Sequence, residues 1–221
     1  MKTYLALDVG GSSIKYALIQ EDSTILEKSS VPTPMDTMDH FVETIGTIYD
    51  QYKDRIEGMA ISMPGIINPE IGYAFTGGAL RYIDKMNIVD ILKERCPINI
   101  TIGNDAKCAA NAEIGYGNLQ DIQDGAVVIL GTGIGGCLIK DHKVHTGRHF
   151  SAGEFSFVKT NCLDGIGWDY AWSTRNGIKG LLERVQESLG TNQEYTGIEI
   201  FDMANEGNEK VIEGISQFCK E

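Results

Sequence analysis

The chain has 221 residues, and 19 Lys and Arg set against 31 Asp and Glu leave a formal net charge of −12. With 42% hydrophobic and 23% charged residues, its makeup is that of a globular chain and excludes disorder as the main state. The acidity argues against a nucleic-acid surface, which needs a basic face to displace counterions, but not against a small phosphoanion held locally by backbone N–H groups.

No apolar run reaches the roughly 18 residues of a membrane span. The first apolar run, Tyr4–Asp8, is short and ends in an aspartate, so it is not a secretory signal. A cytoplasmic protein with neither nucleic acid nor membrane as partner is expected. The five cysteines are scattered without a CxxC pair, which predicts reduced thiols and no zinc framework.

Tyr4–Asp8 reads as a strand, broken at Gly10-Gly11 and resumed at Ile14–Ile19. A third apolar stretch, Thr24–Val31, stops at Pro32 and Pro34. From Asp36 to Tyr52, Met38, Phe41, Ile45, Ile48 and Tyr52 recur at steps of three and four, the mark of an amphipathic helix. Gly58–Met63 reads as a buried strand stopped by Pro64-Gly65, and Ile66–Leu80 as a loop rich in Gly, Asn and Thr. Ile88–Arg95 is a short helix with Asn87 as its cap, Pro97–Ile102 a strand, and Ala106–Gly115 a helix of small residues. Gly125–Leu130 is a strand, Gly131–Gly136 a turn, Cys137–Ile139 its partner strand, and the chain beyond Ser173 is mainly helical. Strands alternating with helices in both halves predict an α/β chain of two domains, 1–117 and 118–221.

Each half carries a glycine turn after an apolar strand: Asp8-Val-Gly-Gly-Ser-Ser and Leu130-Gly-Thr-Gly-Ile-Gly. Glycines there let a phosphate reach the backbone, and Ser12, Ser13 and Thr132 add hydroxyl donors. Asp8 could hold Mg2+, and Lys15 could reach a phosphate or a carboxylate. Neither turn is a P-loop or a dinucleotide fingerprint. Asn104-Asp105, where a strand meets a helix, can be a helix cap. Equally, Asp105 can accept a proton from an alcohol attacking a terminal phosphate, with Asn104 binding a neighbouring hydroxyl; the two readings are compatible. Glu154, after Gly153, could grip two hydroxyls or be a solvated loop residue. His142, His145 and His149 lie among Lys140, Lys143 and Arg148, a cationic loop ill suited to a metal. Trp168, Tyr170 and Trp172 could stack on a sugar or fill a core.

Together, LALDVGGSSIKYALI, SMPGIIN, GNDAKCAANAE, LGTGIGGCLI and AGE resemble, in order and spacing, the ROK family of sugar kinases and regulators. The resemblance covers Tyr4 to about Ser173. It implies two ribonuclease-H-like domains of the actin/Hsp70/sugar-kinase ATPase type around a central cleft, the second incomplete. It further implies ATP-dependent phosphorylation of a hexose or amino-hexose, at the 6-hydroxyl, with Mg2+ and with a homodimer as the family's assembly. Asp8, Gly10, Gly11, Ser12 and Lys15 match the first phosphate motif, and Gly131, Thr132, Gly133 and Gly135 the second. Asp105 matches the catalytic base, Gly65, Asn104 and Glu154 the sugar contacts, and Asp169 the place of a second sugar-binding glutamate. Phe157 stands where the family has a histidine, and Cys162 alone remains of its zinc cysteines, which implies a zinc-less branch resembling β-glucoside and N-acetylmannosamine kinases. The chain stops before the family's adenosine motif, so a truncated kinase is expected, with a non-catalytic sugar-binding fragment as the alternative. A sugar-responsive regulator is disfavoured, since those carry a DNA-binding helical segment ahead of the first strand.

Overall fold

In the computed structural model, residues 1–159 and 167–220 are described. The chain opens with three antiparallel strands, β1 (Thr3–Val9), β2 (Ser13–Gln20) and β3 (Ile25–Pro32). Helix α1 (Met38–Tyr52) follows, started by Thr37, whose hydroxyl accepts the His40 N–H at 3.2 Å. Strand β4 (Met59–Met63) then pairs parallel with β1. Three short strands come next, β5 (Ile67–Asn68), β6 (Tyr73–Thr76) and β7 (Asp84–Asn87), and they form a small antiparallel sheet of their own. Helix α2 (Ile88–Arg95), capped by Asn87, leads to β8 (Ile100–Asn104), parallel to β4, and to α3 (Asp105–Tyr116).

The main sheet has the order β3-β2-β1-β4-β8. On β1, Leu5, Leu7 and Val9 are buried while Asp8 is exposed, the period-two alternation of a strand with one covered face. That face packs on Phe41, Ile45 and Ile48 of α1 and Leu92 of α2. Each such side chain, fully buried, contributes roughly 1.5–3 kcal/mol. Arg95 of α2 ties the two helices together through Glu43 and Asp50 of α1.

Beyond α3 a second sheet has the order β11-β10-β9, from β9 (Gly125–Leu130), β10 (Ile134–Lys140) and β11 (Lys143–His145). Short 3-10 turns at Phe155–Phe157 and Trp168–Tyr170 lead to α4 (Trp172–Arg175), α5 (Ile178–Leu189), α6 (Gly197–Asn205) and α7 (Glu209–Phe218). The last three helices enclose a separate small core of Leu181, Val185, Ile200 and Val211. By their internal contacts, two compact units form: Met1–Gln120 with Gly147–Ser151, and Asp121–Thr146 with Ala152–Glu221.

Two expectations need correction. The stretch Ile66–Leu80 is not all loop, because the paired strands β5 and β6 lie within it; strands of two to four residues are too short to display an alternating pattern. The turn expected over Gly131–Gly136 is shorter, since β10 already starts at Ile134 and Gly135 and Gly136 pair with Ile129 and Val128. Glycine at 136 is needed inside that strand: a Cβ there would run into the Phe155 ring and the Val127 carbonyl.

Candidate active site

Strands β1, β4 and β8 run parallel, so their carboxyl ends lie side by side, the edge at which open α/β sheets bind ligands. Asp8, Ser62, Gly65, Asn104 and Asp105 are all brought to this edge. Asp8 stands level with Ser62 across β1 and β4, and the Ser62 hydroxyl donates to Asp8 Oδ1 at 3.1 Å. On its other side Asp8 is directly opposite Lys15 of β2; both are exposed, on one face of the sheet.

Asn104 is the buried N-cap of α3, 5% exposed, and its Oδ1 accepts the Lys107 N–H at 3.1 Å. Its Nδ2 donates to Gly65 O at 3.0 Å and to Asp105 Oδ1 at 2.9 Å. The Ala106 N–H donates to the same Asp105 oxygen at 2.8 Å. Oδ1 is thus pinned twice, which fixes the carboxylate plane and points its binding capacity through Oδ2. Of the two sequence readings of this pair, the cap is the one seen, formed by Asn104 at the start of α3. Partial removal from water raises the Asp105 pKa above its ordinary value, and the charge of Asp8 pushes the same way. The Ala106 N–H and the charge of Lys107 pull against them. Burial likewise pushes the neighbouring Cys108 thiol up to about 11, so it stays protonated; its sulfur packs against Gly103.

The first glycine turn, Gly10–Ser13, closes with the Gly10 N–H donating to Ser13 O at 3.0 Å. Thr33, immediately after β3 and 7% exposed, braces it from behind: its hydroxyl donates to Gly10 O at 2.6 Å and its N–H to Ser12 O at 3.1 Å. With those carbonyls turned inward, Gly11 and Ser12 remain exposed at the tip. Thr33→Val keeps the shape and leaves the part-buried Gly10 carbonyl without its hydroxyl donor, so a loss of about 1 kcal/mol in urea unfolding is expected.

In the other unit, the second turn is Gly131–Gly133, with the Gly131 N–H donating to Gly133 O at 2.9 Å and Thr132 exposed at its tip. Ser173 supports it at the start of β10, where its Oγ accepts the Ile134 N–H at 3.1 Å. The Ile178 N–H, opening α5, donates to Gly131 O at 3.0 Å. Glu154 follows Gly153, whose φ of 75° and close approach to the Cys137 backbone no other residue could match. Asp169 is exposed in the second 3-10 turn. Phe157 is 55% exposed, while Cys162 and the loop around it lie outside the described residues. Tyr170 sits beneath Arg175 at 5.2 Å and Trp172 against Phe155 at 6.4 Å, so neither ring is free for a ligand on that side. His142 and His145 belong to the β10–β11 hairpin, and His142 Nδ1 meets Ile122 O at 3.0 Å. Among the described residues no group of three or more His, Cys, Asp or Glu gathers for a metal, and no helix is long and apolar enough to cross a membrane.

Sequence reasoning overlooked Ser62 and Thr33. Ser62 is the one polar side chain of Met59–Met63, placed just before Pro64-Gly65 as Asp8 is before Gly10-Gly11; Thr33 is a lone hydroxyl between two prolines. Both positions carry a signal only once strand register is known.

Residues 4–220 match the model of the ROK family. The chain belongs to the ROK family. This ROK chain is 29% identical over 205 residues to a β-glucoside kinase of Klebsiella pneumoniae, across 92% of its own length and 69% of the relative's. Its fold superposes on a ROK family protein of Streptococcus pneumoniae in complex with sucrose, with TM-score 0.78 and 28% identity, covering 98% of this chain and 72% of that one. A ROK family glucokinase of Streptomyces griseus, in complex with glucose and AMPPNP, shares the fold with TM-score 0.83 at 22% identity, covering 96% and 74%. The chain spans about half to three quarters of the length of the curated relatives it matches.

Proposed function

We propose that this chain carries the acceptor and phosphate-binding residues of an ATP-dependent hexose kinase acting at the 6-hydroxyl. The observation that carries the reading is Asp105, held by one oxygen at the carboxyl end of β8 beside Asn104 and Gly65. Family membership and the sugar-kinase names of the relatives support it.

In the proposed reaction the sugar hydroxyl oxygen attacks the γ-phosphorus and forms the new P–O bond. The bond from that phosphorus to the β,γ-bridging oxygen breaks, ADP leaves with its electron pair, and the hydroxyl proton passes to Asp105 Oδ2. Asn104 and Gly65 orient the sugar, with Glu154 and Asp169 as further hydroxyl contacts. The backbone of Gly10, Gly11 and Ser12, with Lys15, serves one part of the triphosphate, and Gly131, Thr132, Gly133 and Gly135 another. A single carboxylate beside phosphate oxygens suits Mg2+, which keeps several waters, and Asp8 would hold it; bound there, the ion would neutralise phosphate charge.

The test is transfer of labelled γ-phosphate from Mg-ATP to glucose, mannose, N-acetylmannosamine, fructose and cellobiose. Labelled product on one of them is expected. Sugar binding without any labelled product would make the chain a non-catalytic sugar binder and overturn the kinase reading. The pH profile supplies a second check. Only ionised Asp105 can accept the proton, so kcat/KM falls as pH drops through its pKa. Because that pKa is raised, the acid limb should lie above the ordinary aspartate value of about 3.9.

A further inference from the structure

Resting on the hexose-kinase reading, we propose that Ser62 is a positioning residue for Asp8. Its hydroxyl fixes one oxygen of that carboxylate, so that the other is presented to the Mg2+ accompanying the nucleotide phosphates.

Asp8, Ser62 and Gly103 stand level across three parallel strands, Asp8 beside Ser62 and Ser62 beside Gly103. Ile61 and Met63, on either side of Ser62, are buried in the core, so Ser62 belongs to the opposite face of β4. Only Ala60 shares that face of the strand, which makes Ser62 its one hydrogen-bonding side chain. The Ser62 hydroxyl donates to Asp8 Oδ1 at 3.1 Å. On the other neighbouring strand, the missing side chain of Gly103 leaves room for Cys108 of α3; a Cβ there would sit 2.7 Å from the Cys108 sulfur. The Cys108 thiol reaches the Ser62 side chain and, being protonated, can donate to its oxygen. A serine hydroxyl has a single proton, and this arrangement directs it to Asp8.

The last torsion of an aspartate is soft, so an exposed carboxylate turns readily unless a donor holds it. Among the described residues, Ser62 supplies the one side-chain hydrogen bond to the Asp8 carboxylate. Asp105 is treated in the same way: Asn104 and Ala106 hold its Oδ1. Each carboxylate at this sheet edge is therefore fixed through one oxygen and free at the other. Mg2+ demands near-octahedral geometry and keeps several waters, so a site with a single protein carboxylate depends on how that carboxylate is turned. Hydrogen-bond partners that orient a ligating group are worth about 10–100-fold in metal affinity.

Calorimetric titration of the intact chain with AMPPNP, once in Mg2+ and once in EDTA, tests this, because the ratio of the two affinities reads the cation's share. In Ser62→Ala that ratio should fall about tenfold, while affinity in EDTA and affinity for glucose stay those of the parent. Ser62→Thr keeps the hydroxyl and should restore the ratio, and Asp8→Asn sets its floor. An unchanged ratio in Ser62→Ala would overturn the positioning role and leave the hexose-kinase reading standing. So would a loss of equal size in Mg2+ and in EDTA, the mark of a serine that only supports the fold. A parent that binds a hexose but gains nothing from Mg2+ would overturn the role as well. Binding of neither AMPPNP nor any hexose of the panel would overturn both.

Discussion

Asp105→Asn is expected to lower kcat by about 100-fold or more, the scale of losing a general base. The amide oxygen can still accept from Ala106 and Asn104, so the arrangement around Gly65 stays in place and KM for the sugar should change little. Stability should barely move, with Tm within about 2 °C of the parent, because two effects oppose each other. A carboxylate in the first turn of α3 favours the helix, whereas its partial removal from water and the charge of Asp8 disfavour it. The sign with pH follows from the raised pKa. The protonated group is the one the fold prefers, so what it lends to stability is present at low pH and lost as pH rises through the folded pKa. Rates and thermal melts of the two proteins at neutral pH check this, and a kcat within threefold of the parent would remove Asp105 from the role of base.

Gly65→Ala should be the most damaging single methyl group in the first unit. Gly65 has φ of 109°, and a Cβ there would run into the Thr76 carbonyl and approach the Gly77 Cα at 3.0 Å. The strained backbone costs about 1–3 kcal/mol and the forced shift of β6 a similar amount, giving about 3 kcal/mol or more in all. For a chain of this size that is roughly a 6–12 °C fall in Tm. The Gly65 carbonyl that accepts from Asn104 would move with it, so sugar affinity should drop alongside stability. A melt unchanged within 2 °C would mean that the loop gives way at little cost.

Much of the fold was legible because long elements bury one face at a regular interval. Phe41, Ile45 and Ile48 announce α1, and Leu5, Leu7 and Val9 announce β1. The Asn104 cap was legible for the same local reason, a residue type that competes for backbone N–H groups at a helix start. The small β5–β7 sheet was hidden because its strands are held by loop bonds, such as the Gly77 N–H to Ile83 O at 2.8 Å, rather than by a repeating pattern. Gly135 and Gly136 resembled turn residues, yet they serve close packing within a strand. Asp8, Gly65, Asn104 and Asp105 could be picked out singly, but their convergence depends on the parallel pairing of β1, β4 and β8, a long-range property. Ser62 and Thr33 became visible only through that pairing and through the turn it frames.

The chain leaves its first unit after Gln120, re-enters it for Gly147–Ser151, and leaves again. Three covalent connections therefore join the two units instead of one. A single protease cut after Gln120 would leave two pieces still threaded together, since the smaller, C-terminal piece keeps Phe150 stacked on Phe75 of the larger. A dissection of the gene at that point would give an N-terminal fragment missing five of its own residues, and only co-expression of both pieces could restore them.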